Sequence, residues 1–450
     1  MIREHEIPDP NSQVSGSDMV DDLTFTHANL PDEDSDIRDF YKESTVFITG
    51  ATGFLGKLCM EKLLRTCPDI SKIYIIIRPK KGKEVSKRFD ELFDEPSFDP
   101  LKRNFPDFRN KIEMVMGDVG LPGLGLSEED KEKLIAEVDC IFHFAATVRF
   151  DEKIKLSTHI NVRGVREILR LAKHMKKLRA FVQVSTAFSN CTHKVIDEKF
   201  YNPPITGEKL INLVDCLDDD MLAAITPTIL GDHPNTYSFT KCVAEEVVKT
   251  EGKNLPIALY RPSIVIATVK EPVSGWIDNV YGATGVLLGV AMGLLRVLRC
   301  GKNNKADMVP ADYVVNSCLA AAWDVASMKT LNNNKETQDQ ESREEKFDKE
   351  IPVYNFVCTP EQPITWDEFQ YLSTKHATQI PTDKIVWRHM LLMVKNRLLY
   401  SVLVLLLHTI PAYLADFVII CLGKKPIERL PENQQILRRD SLLLFQRMGV

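Results

Sequence analysis

One stretch near the N-terminus, Thr45-Val-Phe-Ile-Thr-Gly-Ala-Thr-Gly-Phe-Leu-Gly56, joins a short β-branched run to a glycine-rich turn and then to an amphipathic pattern that continues to Cys67. Each glycine has its own physical role. Gly50 permits the tight turn from strand to helix, Gly53 lets the backbone approach a pyrophosphate, and Gly56 lets the helix pack closely on the sheet. Because a helix N-terminus offers free N–H groups and a partial positive charge, the pattern predicts a dinucleotide site.

The position of this motif makes it specific. Three glycines in a loop are often no more than a turn, but here they follow the first strand-like run, open a helix and precede a second strand by about 20–25 residues. Thr52, Phe54 and Leu55 lie between the glycines and complete the predicted cofactor loop.

Strand-like and helix-like segments alternate from this motif onwards. The strand-like runs are nearly all apolar, which is typical of a parallel sheet that is covered on both faces. They cover residues 45–49, 72–78, 111–116, 138–144 and 179–184, with a later one at 351–357, and helical patterns such as 54–67 and 165–175 lie between them. The alternation predicts an α/β fold: a doubly wound Rossmann-type parallel sheet with a smaller helical, partly hydrophobic C-terminal domain.

Composition restricts the class of protein. A hydrophobic fraction of 44% and a charged fraction of 27% are typical of a globular chain with a sizeable core. The net charge of −6 counts against a nucleic-acid partner. The 10 cysteines include no Cys-x-x-Cys pair, and the N-terminus is too polar for a signal peptide. We therefore expect reduced thiols, no metal ion, and a catalytic part that faces a reducing compartment.

The second strand-like run ends in Arg78-Pro-Lys-Lys81, at the point where an NAD-specific enzyme carries an acidic residue for the ribose 2′-hydroxyl. A cationic cluster instead favours a 2′-phosphate and hence NADPH. The alternative is that the two lysines only solvate a loop. We expect Asp118, with Val119, at the adenine edge, and Ala145 and Ala146 are small enough for a ribose to approach closely.

A reactive pair is predicted at Tyr237-Ser-Phe-Thr-Lys241, which places a phenol and an ammonium group on one face of a helix. A nearby cation is expected to lower the phenol's pKa from about 10 towards neutrality. Ser185 and Thr186 follow the fifth strand, at the sheet edge where α/β sites lie. Either hydroxyl could share the substrate oxygen with the tyrosine, or both could merely cap the strand. Asn161 could be a helix N-cap or could hold a proton-relay water.

Together these motifs resemble an extended short-chain dehydrogenase/reductase, and longer phrases are similar to eukaryotic fatty acyl-CoA reductases of the insect type. The phrases are Phe40-Tyr41, Val46 to Lys57, His233-Pro-Asn-Thr-Tyr-Ser-Phe-Thr-Lys241, Arg261-Pro-Ser-Ile-Val265, Ser274-Gly-Trp-Ile-Asp-Asn279 and Val309-Pro-Ala-Asp-Tyr-Val-Val-Asn316. The resemblance implies that Tyr237 and Lys241 are the catalytic pair, and it favours Thr186 over Ser185 as the hydroxyl partner. It also implies that Pro262 and Ser263 border the nicotinamide. Residues 194–204 resemble the family's own insertion.

The activity that the resemblance implies is NADPH-dependent reduction of a long-chain fatty acyl-CoA to a primary fatty alcohol and CoA, through an aldehyde. Two alternatives stay open. One is another extended short-chain dehydrogenase that acts on a lipid or sterol, and the other is a catalytically silent membrane scaffold of the same fold. The intact glycine motif and the Tyr237–Lys241 pair count against the scaffold.

These expectations divide the chain into three parts: a disordered acidic tail at 1–40, an NADP-binding reductase domain at 41–365 with a charged surface loop at 332–350, and a helical C-terminal domain at 366–450. A membrane-associating segment is predicted at 398–422, where His408, Pro411 and Asp416 interrupt the most apolar stretch. Each half is shorter than the roughly twenty residues that cross a bilayer.

Three arrangements of this segment stay open: a re-entrant or monotopic hairpin, one tilted span, or a buried helical pair over an acyl tunnel. A second apolar run, residues 280–295, is predicted to be an internal helix. We expect membrane lipid as a partner and the catalytic domain in the cytosol. The endoplasmic reticulum is the expected membrane, with the peroxisome and the lipid droplet as alternatives.

Overall fold

The computed structural model describes residues 35–79, 84–336, 350–377, 379 and 385–422. Its strands are β1 (Thr45–Thr49), β2 (Lys72–Ile77), β3 (Ile112–Met116), β4 (Cys140–His143), β5 (Ala180–Val184), β6 (Ile257–Pro262), β7 (Ile264–Ile266), β8 (Val297–Arg299), β9 (Met308–Pro310), β10 (Val353–Phe356) and β11 (Leu392–Val394). Seven of them form one parallel sheet in the order β10-β6-β5-β4-β1-β2-β3. This order reverses between β1 and β4, and the crevice at such a point is where α/β sheets bind ligands.

Helices cover both faces of the sheet. They are α1 (Asp36–Tyr41), α2 (Phe54–Thr66), α3 (Val85–Leu92), α4 (Asp99–Asn104), α5 (Glu128–Glu137), α6 (Ile154–Thr158), α7 (Gly164–Ala172), α8 (Gly207–Cys216), α9 (Asp219–Leu230), α10 (Thr236–Glu251), α11 (Gly282–Ala291), α12 (Ala311–Glu336), α13 (Trp366–Ala377), α14 (Arg397–Val404) and α15 (Ile410–Cys421). A π-helical turn, His159–Arg163, joins α6 to α7. Outside the main sheet, β7 pairs with β9 and β8 with β11.

Alternate residues of each central strand face two different apolar cores. In β1, Val46 and Ile48 pack in the core that contains α2 and α12, whereas Phe47 packs in the core that contains α7 and α10. All five residues of β1 are buried, as are all five of β5. Burial on both faces explains the continuous apolar runs in the sequence. The predicted fold class, a doubly wound parallel sheet, is confirmed.

The boundaries of the predicted tail and loop differ from the structure. Residues 1–34 lie outside the described residues, but α1 occupies the end of the predicted tail, so the prediction is wrong there. The helix is held to the domain because Tyr41 is fully buried and its hydroxyl donates to the carbonyl oxygen of Leu319 at 2.9 Å. Likewise α12 extends through the first part of the predicted charged loop to Glu336, and residues 337–349 lie outside the described residues.

The apolar C-terminal segment forms one continuous helix. A second π-helical turn, Leu405–Thr409, joins α14 to α15 without a break, so the run extends from Arg397 to Cys421. Within this helix, residues 397–417 are long and apolar enough to cross a membrane, and they are the one such helix in the described part of the chain. Of their most apolar 18-residue stretch, 6% is buried. The predicted hairpin and the predicted buried pair are therefore wrong. The predicted internal helix corresponds to α11 (residues 282–291).

Candidate active site

The glycine-rich turn between β1 and α2 leaves an open surface at the helix N-terminus. Gly50 has φ +72°, and a Cβ there would lie 2.7 Å from the backbone nitrogen of Ala145. A Cβ on Gly56 would lie 2.3 Å from the carbonyl oxygen of Gly50, so this position requires glycine for packing. Gly53 differs, because its Cβ would meet only that same oxygen, at 3.2 Å. The open side of Gly53 is where a pyrophosphate would approach the backbone.

The first turn of α2 is suited to an anion. Gly53 is its N-cap and supplies no side chain to the helix N–H groups. The N–H groups of Thr52, Phe54 and Leu55 lie in or beside this turn, where the helix dipole favours negative charge. The small residues Ala145 and Ala146 come after Phe144, just beyond β4, and the backbone of Ala145 packs against Gly50. The turn therefore fits the phosphates of a dinucleotide on grounds of shape and charge.

The predicted adenine end lies at the neighbouring strand ends. Arg78, after β2, is 57% exposed, and its Nε lies 3.9 Å from Oδ2 of Asp118, after β3. Asp118 Oδ1 accepts a hydrogen bond from Gly120 N at 2.9 Å, which fixes the loop that contains Val119. Lys80 and Lys81 lie outside the described residues. One exposed cation is thus available at the position predicted for the 2′-phosphate.

The predicted reactive pair, Tyr237 and Lys241, lies on the first two turns of α10. Asn235 caps this helix, because its Oδ1 accepts a hydrogen bond from Ser238 N at 2.8 Å. Tyr237 is on the first turn and partly buried, and Lys241 is buried one turn later. The ring of Phe150, from the loop after β4, stacks on the Tyr237 ring at 5.8 Å. Phe150 was not predicted from the sequence, because Phe144 and Val148 in the same loop leave it without a distinguishing signal.

The two candidate hydroxyls after β5 point to different partners. The Thr186 side chain interacts with the Tyr237 hydroxyl and lowers the pKa of the phenol, and its Oγ1 also accepts a hydrogen bond from Phe188 N at 3.3 Å. Ser185 Oγ instead donates to Oε1 of Glu245 at 2.6 Å, within the buried interior. Of the two residues, Thr186 is therefore the one that the fold brings to the tyrosine.

Burial changes the acid–base character of the pair in a direction that the sequence did not predict. It raises the pKa of Tyr237 to about 12, and the hydrogen bond from Thr186 opposes this increase. It lowers the pKa of Lys241 to about 8, with the charge of Glu245 acting in the opposite direction. Lys241 Nζ donates to the carbonyl oxygen of Val184 at 2.9 Å. The expected shift of the phenol towards neutrality is wrong, and the tyrosine stays protonated, as a proton donor must be.

Asn161 has a different place from the one predicted. It lies inside the π-helical turn rather than at a helix start, so the N-cap prediction is wrong. Its Nδ2 donates to Thr147 O at 3.1 Å and to Thr240 Oγ1 at 3.0 Å, and its Oδ1 accepts from Thr147 N at 2.9 Å. The side chain thus ties the loop after β4 to α10. Turns of this kind are frequent at functional sites.

Two further groups complete the surroundings of Lys241 and Thr186. His143, at the end of β4, contacts Thr49 Oγ1 through Nδ1 at 2.7 Å, and burial, with a smaller contribution from Lys241, lowers its pKa to about 3. Pro262 ends β6, and its carbonyl oxygen accepts from Ala187 N at 2.9 Å. Pro262 and the following Ser263 therefore lie beside the loop that carries Thr186.

Comparison with known proteins identifies the family of this chain. Residues 48–318 match the family model NAD_binding_4, described as "Male sterility protein". The chain is 41% identical over 413 residues to the fatty acyl-CoA reductase wat of Drosophila melanogaster, covering 92% of this chain and 76% of that protein. It is 40% identical over 390 residues to fatty acyl-CoA reductase 1 of Mus musculus, covering 87% and 72% respectively.

Solved structures share the fold. A thiolation-reductase di-domain from an archaeal non-ribosomal peptide synthetase superposes with a TM-score of 0.51 at 17% identity, covering 93% of this chain and 99% of that one. A reductase domain of a non-ribosomal peptide synthetase from Mycobacterium tuberculosis gives a TM-score of 0.51 at 19% identity, covering 82% and 79%. At these identities the similarity shows a common architecture.

Proposed function

Because the chain belongs to the fatty acyl-CoA reductase family, we propose that it reduces a fatty acyl-CoA to the primary fatty alcohol and CoA with a nicotinamide cofactor. One observation supports this most directly. The open turn at Gly53 follows β1, the hydroxyls of Thr186 and Tyr237 meet after β5, and only β4 separates these two strands. A cofactor held at the turn and a carbonyl held at the hydroxyls would therefore be neighbours.

The side chains have complementary roles in this reaction. A thioester is two two-electron reductions away from an alcohol, and the cofactor, when bound, supplies a hydride for each. Tyr237 donates a proton to the carbonyl oxygen as negative charge develops there, and Thr186 donates a hydrogen bond to the same oxygen. The first reduction leaves a hemithioacetal that expels the CoA thiol to give an aldehyde, and the second gives the alcohol. Lys241, as a cation, stabilises the charge that forms near the phenol.

Product analysis tests this function. Membranes that contain the chain are incubated with the reduced cofactor and a mixture of long-chain acyl-CoAs, and the products are identified by mass spectrometry. We expect fatty alcohol and free CoA, with two cofactor molecules oxidised per thioester. Aldehyde as the final product would amend the proposal, and unchanged thioester would refute it. The Tyr237→Phe chain serves as the control for background reduction.

We propose NADPH as the cofactor, on the basis of the exposed guanidinium of Arg78 at the end of β2. Arg78→Glu should weaken NADPH far more than NADH, since only NADPH has the 2′-phosphate that arginine recognises. Arg109→Glu is a matched control, because Arg109 is also exposed but precedes β3 instead of following β2, and it pairs with Asp90 at 3.1 Å. Cofactor titration by fluorescence measures both. An equal loss for the two cofactors would remove Arg78 from the proposal.

We further propose that the helix from Arg397 to Cys421 lies in the membrane interface. Its exposed apolar side chains favour contact with lipid, as with Leu398, Leu405, Leu414 and Phe417, which are 75%, 51%, 59% and 65% exposed. Among the described side chains of this helix, further large apolar ones that are exposed include Leu399, Val402, Leu406, Ile410, Tyr413 and Ile420.

The middle of this helix is bonded to the reductase body, which favours a helix lying flat over one that crosses. His408 Nε2 accepts from Arg296 N at 3.0 Å, and Leu407 O accepts from Arg296 Nη1 at 3.3 Å. The same guanidinium lies 4.9 Å from the ring centre of Trp387, which is 61% exposed. A spanning helix would carry Arg296 and the adjoining body towards the bilayer centre, where a charge is costly. Exposed tryptophan is typical of membrane interfaces.

Labelling of cysteines in sealed vesicles distinguishes the two arrangements. Cys216, on the catalytic unit, and Cys421, at the end of the helix, are both exposed. A helix in the interface leaves both on one side, so a membrane-impermeant maleimide should label both or neither. A helix that crosses the bilayer would give label on one only, and would refute the interfacial proposal. A permeant maleimide, which should label both, is the control.

A further inference from the structure

A buried carboxylate one turn beyond Lys241 accepts hydrogen bonds from two neighbouring segments, the loop after β5 and strand β6. Glu245, on α10, is 1% exposed. Its Oε1 accepts from Ser185 Oγ and Ser189 Oγ, each at 2.6 Å, and its Oε2 accepts from Asn190 Nδ2 at 2.9 Å. Arg261 of β6 donates through Nε at 2.9 Å and Nη2 at 2.7 Å, one bond to each oxygen. The end of β5 and the loop after it are thus bonded to the helix that carries the reactive pair.

The arginine extends this network to two more parts of the chain. Its side chain is fully buried. Nη1 donates to Asp197 O at 3.1 Å and to Asn355 Oδ1 at 3.4 Å, and Nη2 donates to Lys199 O at 2.9 Å. Asp197 and Lys199 belong to the segment that resembles a family insertion, and Asn355 belongs to β10. The Glu245–Arg261 pair therefore connects β5, β6, β10, α10 and the inserted segment.

A buried ion pair of this kind contributes little net free energy to folding. Removing two charges from water costs several kcal/mol per ion, and well-packed apolar residues often stabilise a protein equally well. What the pair supplies is geometry, since a bidentate arginine–carboxylate contact fixes both groups in orientation. The two groups it fixes most directly are Ser185 and the α10 turn that follows Lys241.

We propose that Glu245 and Arg261 are positioning residues for the reduction: they hold Ser185 away from the tyrosine, so that Thr186 takes the place beside Tyr237, and they fix α10 against β5 with Lys241 on Val184 O. This inference rests on the proposed function. It assigns no contact with substrate to either residue. Both act through the neighbouring side chains.

Charge gives the pair a second effect, through Lys241. The groups that face this ammonium are Glu245 from its own helix, the carbonyl of Val184 from β5, the neutral His143 from β4 and, beyond the carboxylate, Arg261 of β6. Among these named groups Glu245 is the anion. Replacing its charge with a neutral amide should make the lysine lose its proton at lower pH.

The test is Glu245→Gln in the full chain, assayed for alcohol formation and for cofactor binding by fluorescence across pH. The amide has the shape of the carboxylate and still accepts a hydrogen bond. At neutral pH we expect kcat to fall about 10- to 100-fold, as for a small misplacement of reacting groups, with KM changed less than about threefold. The pH at which kcat and cofactor affinity begin to fall on the alkaline side should decrease by about one unit.

Glu246→Gln is the matched control. It changes the next residue on α10, whose Oε2 accepts from Gly207 N at 2.9 Å and which takes no part in the reactive pair's contacts described above. It should leave kcat, and the pH at which kcat begins to fall, at their wild-type values. A Glu245→Gln protein that folds and matches this control in both readouts overturns the inference.

A second variant separates positioning from folding. Arg261→Met alone would leave a buried carboxylate without its charge partner, which strongly destabilises a fold. Glu245→Gln with Arg261→Gln removes both charges together, and thermal unfolding reports its stability. If the pair acts by positioning, kcat of the double variant stays low even where its unfolding midpoint recovers. A kcat that recovers together with the unfolding midpoint overturns the inference. Absence of alcohol from the wild-type chain would overturn the proposed function instead, and the pH at which cofactor affinity begins to fall would still test the pair.

Discussion

The neighbouring hydroxyls of Ser185 and Thr186 allow a paired test of the site, because each is replaced by a side chain of similar size. Thr186→Val removes the hydroxyl that is bonded to Tyr237 and keeps the β-branched shape. Ser185→Ala removes the hydroxyl that donates to Glu245 Oε1 at 2.6 Å. The first change affects the reacting oxygen, and the second affects a buried network. The two variants should therefore differ in kcat.

The expected magnitudes follow from these contacts. Loss of one hydrogen-bond donor to a developing oxyanion lowers kcat by about 10²–10³-fold, or about 2.7–4 kcal/mol of transition-state stabilisation. Thr186→Val should show a loss of this size, and the pKa of Tyr237 should rise further without the opposing hydrogen bond. Ser185→Ala should lower the free energy of unfolding by about 1.5 kcal/mol, the lower end for a hydrogen bond to a charged group, because Glu245 keeps its other donors. Its kcat should change only a few-fold.

Steady-state alcohol formation and thermal unfolding, measured on both variants, complete the comparison. We expect both variants to unfold a few °C below the wild type, since Thr186 Oγ1 also accepts a hydrogen bond from Phe188 N at 3.3 Å, so that the difference in kcat is the deciding measurement. The reasoning is refuted if the pattern is reversed, with Ser185→Ala nearly inactive and Thr186→Val nearly as active as the wild type. In that case Ser185 would be the hydroxyl that meets the substrate, and α10 would have to sit differently on β5.

Three further predictions concern the same site. Tyr237→Phe should lower kcat by about 10²–10⁴-fold with cofactor affinity unchanged, and a rate near wild type would rule out the phenol as proton donor. Gly53→Ala should fold and lose cofactor affinity, whereas Gly56→Ala should lower the unfolding midpoint, since its Cβ would lie 2.3 Å from Gly50 O. Thermal unfolding followed by circular dichroism, together with cofactor titration, distinguishes the two variants. Burial lowers the pKa of Lys241 from 10.5 to about 8, so the reactive cation is present below that pH and kcat should fall as pH rises through about 8. A kcat that falls only near pH 10 would contradict this expectation. Tyr237 cannot cause the fall near pH 8, because its pKa is about 12.

Features that depend on neighbouring residues were predictable before any coordinates. The turn after β1 needs glycine for local reasons, namely a positive φ at Gly50 and close packing at Gly56, so the motif alone indicates the strand, the helix and the site between them. The parallel sheet follows from runs of apolar residues that only burial on both faces explains. The four-residue spacing of Tyr237 and Lys241 fixes their common face, because a helix turns about once every 3.6 residues.

Other features depend on contacts between distant parts of the chain. Ser185 and Thr186 are adjacent and chemically similar, and what separates them is the carboxylate of Glu245, which lies 60 residues further on. The pKa of Tyr237 rises instead of falling because burial depends on everything packed around the phenol, and no spacing along a helix reports that. Arg261 completes the same network from another strand. Only the tertiary structure brings these groups within hydrogen-bonding distance, and it thereby determines which hydroxyl faces the tyrosine.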